Sequence, residues 1–255
     1  MIHKTAIINP RANLGKGVSV GPNTIIGEFV TIGEGTLIGA NCIIDGTTKI
    51  GKDCEIFTGA IIGTIAQDKK YKGGDTFLEI GDRNKIREYV TINLSTDNSD
   101  KTIIGNDNLL MAYSHIAHNC KIGNNNTLAN SATLAGHVTI EDEVIIGGLT
   151  AIHQFVRIGK LAILGGCSKV VQDIVPYAMA DGHPAKIYGV NSIGLSRRNI
   201  KPSTRLQLKK AFKILFYMKL NTGTAIEKIK KETEDCEEIS CLIKFVKSSE
   251  RGIAR

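Results

Sequence analysis

Residues 104–170 read IGNDNLLMAYSHIAHNCKIGNNNTLANSATLAGHVTIEDEVIIGGLTAIHQFVRIGKLAILGGCSKV. Every sixth residue of this stretch is aliphatic, at Ile104, Leu110, Ile116, Ile122, Leu128, Leu134, Ile140, Ile146, Ile152, Ile158, Leu164 and Val170. A helix repeats its apolar positions at three and four residues and a strand at two, so neither explains this spacing. A period of six, often with Gly after the aliphatic residue, indicates a parallel β-helix of hexapeptide repeats.

The same period begins at the start of the chain. It places aliphatic residues at Ile2, Ile8, Leu14, Val20, Ile26, Ile32, Ile38, Ile44, Ile50, Ile56, Ile62, Ile80, Ile86 and Ile92. Gly often follows them, where we expect tight corners that need a residue without a Cβ atom. Two polar stretches, 64–78 and 94–101, break the pattern. We predict that both are loops leaving the coil, and long loops in compact domains are often functional.

The repeats end after Val170, and helical spacing of apolar residues begins near Ser203. We predict three helices, one ending near residues 221–223 and two over 225–231 and 238–246. The predicted architecture is therefore mainly β. Residues 1–190 form the β-helix with its two loop excursions, and residues 191–255 form a small helical domain that covers the open end of the coil.

The composition fits such a coil. Aromatic residues make up 5% of the chain and Trp is absent, and stacked aliphatic residues need few rings. No signal peptide and no apolar stretch long enough to span a membrane is visible, so we expect a cytoplasmic protein without stable membrane insertion. Cys42, Cys54 and Cys120 hold the same place in their repeats and are expected to be small buried residues.

Positive charge is concentrated at the C-terminal end. Residues 186–255 hold 16 Lys and Arg against 7 Asp and Glu, a net charge of +9 in a chain whose total is +7. A basic segment indicates an acidic partner. Nucleic acid is not expected to be that partner, because we find no recognition motif and no aromatic platform for stacking bases.

Four of the six histidines converge on one edge of the predicted coil. Three repeats make one triangular turn of the coil, so residues about 18 apart lie above one another. His118, His137 and His153 then stack on successive turns, about 5 Å apart along the axis. His115 lies beside them. One histidine alone is more often structural, but four on one edge predict a functional site.

Several motifs in a fixed order carry a resemblance to a known family. They are QDKKY at 67–71, GDRNKIRE at 81–88, NLLM at 108–111, HIAHNC at 115–120, LAGHV at 134–138, IHQF at 152–155, GGCS at 165–168, QD at 172–173, Asn191, Arg197-Arg198 and RGI at 251–253. Together they resemble the hexapeptide-repeat acyltransferases, and among these the UDP-N-acetylglucosamine O-acyltransferases that open lipid A synthesis. The similarity runs along the whole chain.

The resemblance implies a fold, a reaction and partners. The coil should be left-handed, against the usual handedness of crossovers, and the protein a homotrimer with active sites between subunits. The reaction would transfer a 3-hydroxyacyl group from acyl carrier protein to the 3-position of UDP-N-acetylglucosamine or of its 3-amino analogue. No cofactor and no metal is expected.

Transfer of an acyl group to a hydroxyl needs a base and a donor to the oxyanion. His118 matches the base of the family. Asn119 follows it, and Gly136, one turn of the coil further on, can offer a backbone N–H, so these three are the expected catalytic residues. The expected substrate-binding residues are Gln67, Asp68, Lys70, His115, His137, His153, Gln154, Gly166, Asn191, Arg197 and Arg198.

Two positions depart from the family pattern. Asn119 stands where the family usually has Asp, which weakens a His–carboxylate dyad. Ile193 stands where the best-known members have Glu, which alters contacts to the nucleotide sugar. Some relatives acylate an amine, so the acceptor atom stays open between oxygen and nitrogen.

Paired glycines predict where the acyl chain lies. Gly147-Gly148 and Gly165-Gly166 recur at the same places on neighbouring turns and would open a groove along the axis. From His118 to Gly166 this groove would be about 13 Å long, enough for a chain of roughly ten carbons or more. In similar enzymes, Gly at the position of Gly166 goes with long chains, so we expect a long 3-hydroxyacyl donor.

Three other interpretations of the sequence are less favoured. A γ-class carbonic anhydrase is also a trimeric β-helix, with three His on a metal, but His115 and His118 are only three residues apart and the ordered motifs argue against it. A non-enzymatic solenoid would leave loop 64–78 and the basic C-terminal segment without a role. The related N-acyltransferase of the same pathway would carry a separate domain before the repeats, which here begin at Ile2.

Overall fold

The computed structural model describes residues 1–98 and 100–255. The short parallel strands of the chain form a three-sided prism. Successive strands pass from face 1 to face 2 to face 3, and the chain then returns to face 1. Each strand pairs with the one three before it, so that Ile25 lies beside Ile7 and His115 beside Thr91. The β-helix predicted from the six-residue period is confirmed.

The strands of each face are short. Face 1 consists of Ile7–Ile8, Ile25–Ile26, Ile43–Ile44, Ile61–Thr64, Thr91–Asn93, His115–Ile116, Thr133–Leu134, Ala151–Ile152 and Lys169–Val170. Face 2 consists of Asn13–Leu14, Thr31–Ile32, Thr47–Ile50, Phe77–Ile80, Thr102–Ile104, Lys121–Ile122, Thr139–Ile140 and Arg157–Ile158. Face 3 consists of Ser19–Val20, Leu37–Ile38, Glu55–Ile56, Lys85–Ile86, Leu109–Leu110, Thr127–Leu128, Ile145–Ile146, Ile163–Leu164 and the antiparallel pair Ala178–Gly182 and Ala185–Val190.

The period of six works because the second residue of each two-residue strand points inward. In His115–Ile116 and Thr133–Leu134, the aliphatic residue is buried and its neighbour faces outward. Each buried aliphatic side chain contributes about 1.5–3 kcal/mol. Cys120 is also buried, as predicted, and this burial raises the pKa of its thiol to about 12.

The glycines after the aliphatic residues are required by the neighbouring turn of the coil. A Cβ atom on Gly33 would lie 2.5 Å from the carbonyl oxygen of Gly51. The residue with left-handed backbone comes two positions later, as at Asn41 with φ 55° and Tyr113 with φ 62°. The predicted need for a residue without Cβ is confirmed, but the clash is with the next turn of the coil.

A ladder of buried asparagines runs inside one edge of the prism, which the sequence pattern did not predict. Asn84 Oδ1 accepts from Asn108 N at 2.9 Å and Asn108 Nδ2 at 3.0 Å. Asn108 Oδ1 in turn accepts from Asn126 N at 2.8 Å, and Asn126 Oδ1 accepts from Val144 N at 2.7 Å. These bonds satisfy buried backbone donors that would otherwise lack partners.

The three corners of the prism differ in what they carry. The histidine corner, between faces 1 and 2, comprises turns 117–120, 135–138 and 153–156. The arginine corner, between faces 2 and 3, comprises turns 123–126, 141–144 and 159–162. The glycine corner, between faces 3 and 1, comprises turns 147–150 and 165–168. Both predicted loops, which connect face 1 to face 2, leave the prism at the histidine corner.

The C-terminal residues are helical. Helix α1 spans Ser192–Arg197, α2 Pro202–Phe212, α3 Thr222–Glu232 and α4 Glu237–Lys247, and a π-helical turn, Lys213–Tyr217, continues α2. The three predicted helices are present. Helix α1 was not predicted because its six residues are too few to show a period. No helix in the described residues is long and apolar enough to cross a membrane.

The end of the chain folds back onto the last turn of the coil. Asp173 is buried and its carboxylate accepts from Arg157 N and Ser249 Oγ, both at 2.8 Å. Its backbone N–H donates to Gly252 O at 2.9 Å. The Arg157 guanidinium lies 4.4 Å from the ring centre of Phe245 in α4. Together these contacts tie the helices to the coil and cover its last strands.

Candidate active site

His118 and Gly136 face each other on neighbouring turns of the histidine corner. His115 pairs with Thr133 in register, which places His118 opposite Gly136. A Cβ atom on Gly136 would lie 2.4 Å from His118 Cε1 and 2.6 Å from Nε2. The φ angle of Gly136 is outside the left-handed region. Glycine is therefore required here by the approach of the imidazole.

The tautomer of His118 follows from its neighbours. His118 Nδ1 lies 3.0 Å from Asn119 Oδ1, and the same oxygen accepts from the Thr96 backbone N–H at 3.1 Å. A backbone N–H can only donate, so this contact identifies the amide oxygen of Asn119. His118 Nδ1 must then carry the proton that it donates to Asn119, and Nε2 is left as the free base.

The free Nε2 of His118 faces a cleft. Asp68, from loop 64–78, has its Oδ2 3.9 Å from Nε2. The cleft has a volume of about 560 Å³, and its lining residues are Gln67, Asp68, Lys69, Lys70, His115, Ala117, His118, Thr133, Leu134, Ala135, Gly136 and Gln154. Basic, acidic and amide side chains thus surround a histidine that can accept a proton.

Two further histidines lie against His118, and both have lowered pKa values. His115 Nδ1 is 2.7 Å from Thr91 Oγ1, and the pKa of His115 is lowered by burial and then by the nearby His118. The His137 ring lies 5.2 Å from that of His118, edge to face, and stacks on Phe155 at 4.6 Å. Burial and then His118 lower the pKa of His137, although carboxylates nearby oppose this. The predicted spacing of about 5 Å between stacked histidines agrees with this geometry.

Most predicted site residues line the cleft or contact His118, and five do neither within this chain. His153 is exposed, with its Nδ1 3.3 Å from Gln154 O. Asn191 Nδ2 donates to Leu161 O at 2.8 Å on the arginine corner. On the same corner, Arg198 Nε lies 2.6 Å from Glu143 Oε2, and Arg197 is exposed in α1.

The fifth residue, Gly166, lies at another corner of the prism. Gly148 and Gly166 do stack on neighbouring turns, since a Cβ on Gly166 would lie 3.2 Å from the carbonyl oxygen of Gly148. However, they lie on the glycine corner, whereas His118 lies on the histidine corner at the other edge of face 1. The predicted length of about 13 Å covers only the distance along the axis, so a groove from His118 to Gly166 would also have to cross face 1.

Several residues at the site were missed from the sequence. Thr133 and Ala135 line the cleft, and the pairing of His115 with Thr133 in the 18-residue register could have revealed them. Thr96 reaches Asn119 from the second loop, 94–101, and no periodic signal marks it. A larger hollow of about 710 Å³ lies between α3 and α4, and its lining contains no histidine.

Metal ligation was the alternative use of these histidines. In residues 1–98 and 100–255, no group of three or more His, Cys, Asp or Glu side chains is arranged to hold a metal ion.

Comparison with known proteins identifies the family of this chain. A family described as Udp N-acetylglucosamine O-acyltransferase, Domain 2, matches residues 173–254, and the bacterial transferase hexapeptide family matches residues 101–136. The acyl-(acyl-carrier-protein)–UDP-N-acetylglucosamine O-acyltransferase of Thermodesulfovibrio yellowstonii is 52% identical over 255 residues, covering 100% of this chain and 99% of the relative. That of Paracidovorax citrulli is 51% identical over 259 residues, with the same coverage.

A solved structure shows the same architecture. The UDP-N-acetylglucosamine acyltransferase from Bacteroides fragilis superposes with a TM-score of 0.97 at 40% identity, covering 100% of both chains. The predicted left-handed β-helix with a small C-terminal helical part is confirmed, and the carbonic anhydrase and scaffold alternatives are not favoured. The full-length identity and the shared architecture mean that this chain belongs to the family of acyl-(acyl-carrier-protein)–UDP-N-acetylglucosamine O-acyltransferases.

Proposed function

We propose that this protein transfers a 3-hydroxyacyl group from acyl carrier protein to the 3-position of UDP-N-acetylglucosamine, or of its 3-amino analogue, as the first step of lipid A biosynthesis. The observation that carries the proposal is the free Nε2 of His118, which faces a cleft next to Gly136. The protein would work in the cytoplasm. Its β-helical domain, residues 1–190, would hold the chemistry, and its helical domain, residues 191–255, would contribute to binding.

The chemistry begins at His118 Nε2. It takes the proton of the acceptor hydroxyl while that oxygen attacks the thioester carbonyl. The carbonyl oxygen becomes an oxyanion, and the Gly136 N–H, which makes no hydrogen bond within the described residues, is placed to donate to it. The C–S bond then breaks, and the imidazolium of His118 returns its proton to the departing thiolate of the carrier.

The remaining polar groups of the cleft suit the acceptor. Lys70 and the neighbouring Lys69 carry positive charge for the pyrophosphate of a nucleotide sugar. Gln67, Asp68 and Gln154 offer amide and carboxylate groups for sugar hydroxyls. His115, His137 and His153 would complete the binding surface around the base.

The outer faces of the prism support a homotrimer. Face 1 exposes a row of isoleucines at Ile7, Ile25 and Ile43. Face 3 exposes Leu37, Ile145 and Met179. Face 2 instead carries charged residues at Lys49, Glu79, Lys121 and Arg157. Exposed apolar rows mark interaction surfaces, so we infer that faces 1 and 3 are buried between subunits and face 2 remains in water.

A threefold arrangement with the glycine corner at its axis meets these conditions. Large side chains are exposed at that corner: Leu149 is 66% exposed, and Tyr113, in turn 111–114 of the same corner, is 61% exposed. Face 1 of one subunit then lies on face 3 of the next, which brings the histidine corner of one subunit to the arginine corner of its neighbour. Asn191, Arg197 and Arg198 would thereby complete a cleft that their own chain does not reach.

Mixing two inactive variants tests this shared site. His118→Ala should lower turnover at least ~100-fold, the lower range for loss of a general base, while the protein stays folded. Arg198→Ala should also be weakly active. When the two are co-expressed in equal amounts, about one quarter of the sites combine two intact corners and should regain activity. No recovery, in mixed trimers shown by mass spectrometry, would contradict the shared site.

A control histidine separates the base from general effects of losing an imidazole. His3 is exposed in the first turn of the coil, far along the axis from the cleft. His3→Ala is expected to keep wild-type turnover. Near-normal turnover in His118→Ala would show that His118 is not the base.

The acidic partner is acyl carrier protein in this proposal. The net charge of +9 on residues 186–255 supports it, with Arg197 and Arg198 among the contacts. Such exposed charges act mainly on encounter and are screened by salt. The KM for the carrier should therefore rise with ionic strength, whereas the KM for a short acyl-pantetheine thioester should not. A flat response for both would count against charge-driven docking.

A further inference from the structure

Asn119 lies between the base and a carboxylate on the loop 94–101. Its backbone N–H donates to Thr102 Oγ1 at 2.8 Å, which packs the turn of the histidine corner against the end of this loop. Its side chain is 3% exposed, and its Oδ1 accepts from the Thr96 N–H at 3.1 Å and the Thr96 hydroxyl at 3.0 Å. The amide is therefore held in one orientation.

The nitrogen end of this amide lies near Asp100. Asn119 Nδ2 is buried and makes no hydrogen bond of ordinary geometry with the described residues. Asp100 Oδ1 accepts from the Lys101 N–H at 2.8 Å and pairs with Lys121 Nζ at 3.2 Å. Burial alone would raise the pKa of Asp100, but the Lys101 N–H, Lys121 and the Asn119 amide together hold it below its ordinary value. Asp100 is therefore an anion beside a buried amide.

We propose that Asn119 and Asp100 are positioning residues that together do what a single carboxylate hydrogen-bonded to an imidazole would do. This proposal rests on the proposed role of His118 as the base. The oxygen of Asn119, held by Thr96, accepts the Nδ1 proton and fixes the tautomer that leaves Nε2 free. Asp100 supplies the negative charge that stabilises the imidazolium formed when His118 takes a proton. Neither residue is placed to touch the substrate.

Other charged groups also face His118. Asp68 lies 3.9 Å from its Nε2, and His115 and His137 lie on either side. Lys69 and Lys70 line the same cleft, and Asp97 acts on His137. These groups remain in place when positions 100 and 119 are exchanged, so differences among such variants report on those two positions.

A cycle of three variants tests the division of the task. Asp100→Asn removes the charge, so kcat should fall about threefold to tenfold and the acidic limb of the pH profile should move to lower pH. Asn119→Asp places a second carboxylate beside Asp100, so the acidic limb should move up by about one pH unit. The double variant places a carboxylate directly beside His118 Nδ1 and leaves no second carboxylate to repel it. Its kcat should recover to within about threefold of the wild type.

The outcome that overturns the proposal is additivity. If the double variant shows the sum of the two single effects, Asn119 and Asp100 do not act on the same proton. An unchanged kcat and pH profile in Asp100→Asn would have the same meaning. Glu79→Gln is the matched control, because Glu79 pairs with Lys101 at 2.6 Å on face 2 without contacting Asn119. It should leave both readouts unchanged.

Nitrogen-15 NMR of histidine-labelled protein tests the tautomer without relying on activity. With signals assigned by His118→Gln, His118 should show a protonated Nδ1 and a free Nε2 above pH 8. Asn119→Leu, which keeps the branched shape but removes the acceptor, should mix the two tautomers. A dominant Nε2–H form in the wild type would sink the proposal. If the tautomer is as expected but His118→Gln keeps full turnover, the positioning stands and the role of His118 as base fails.

Discussion

Replacing Gly136 by Ala tests how closely the base is held. An ideal Cβ at this position lies 2.4 Å from His118 Cε1 and 2.6 Å from Nε2. Carbon atoms prefer separations of about 3.5–4.0 Å, so the imidazole must move by at least about 1 Å. The open cleft offers it space, and the backbone of Gly136 can accept Ala because its φ is not left-handed. We therefore expect the protein to fold while the base is displaced.

A displacement of this size has a large effect on rate. Moving a catalytic group by 1 Å lowers the rate about 100-fold, which corresponds to about 2.7 kcal/mol in the activation free energy. The variant keeps the Gly136 backbone N–H, so the loss reports on the position of His118. The assay is kcat with saturating acyl carrier and nucleotide sugar, together with thermal unfolding.

Gly223→Ala is the control for the added methyl group. A Cβ at Gly223 in α3 would meet only Asn221 Oδ1, at 3.6 Å. Its kcat should match the wild type. If Gly136→Ala keeps kcat within threefold of the wild type and remains folded, the imidazole is not held against Gly136 during catalysis and the reasoning is refuted.

Three further predictions follow from other parts of the structure. Gly166→Met should shift donor preference several carbons shorter in a competition between short and long acyl carriers. A Cβ at Gly166 would meet backbone atoms of Gly148, the nearer at 3.2 Å, and the Met side chain would fill the space at the glycine corner. An unchanged preference would remove Gly166 from the acyl site. Asn108→Leu should lower the free energy of unfolding, measured in urea, by about 2–4 kcal/mol, since it leaves several buried polar groups without partners. Asn130→Ala, at an exposed position, is the control. If the two variants changed the free energy of unfolding equally little, the ladder would not be important for stability. The pKa values of His115 and His137 are lowered in the folded state. Below about pH 6.5, the ordinary histidine pKa, the unfolded chain therefore binds more protons than the folded chain, and the free energy of unfolding should fall as the pH drops through that value. A flat curve of stability against pH from 7 to 5 would contradict this.

The repeat and the gathering of the histidines could be predicted from residue order alone. A period of six with one buried aliphatic residue is a local property, and stacking successive turns of the coil converts numbers that differ by 18 into neighbours. The approach of His118 to Gly136 follows from that register. The ordered motifs identified the family because they include polar residues, such as Lys70, His118 and Gln154, that packing of the coil does not require.

The tertiary structure decided which residues meet across a corner of the prism or between two of its faces. Gly166 lies on the glycine corner and Arg198 on the arginine corner, whereas His118 lies on the histidine corner. Counting residues along the axis does not give these separations, because the count contains no information on the width of a face. Thr96 reaches Asn119 from a loop whose path no period describes. Periodicity therefore determined the coil and the row of histidines, whereas the orientation of the base depends on contacts from irregular segments, whose positions arise only when the whole chain is packed.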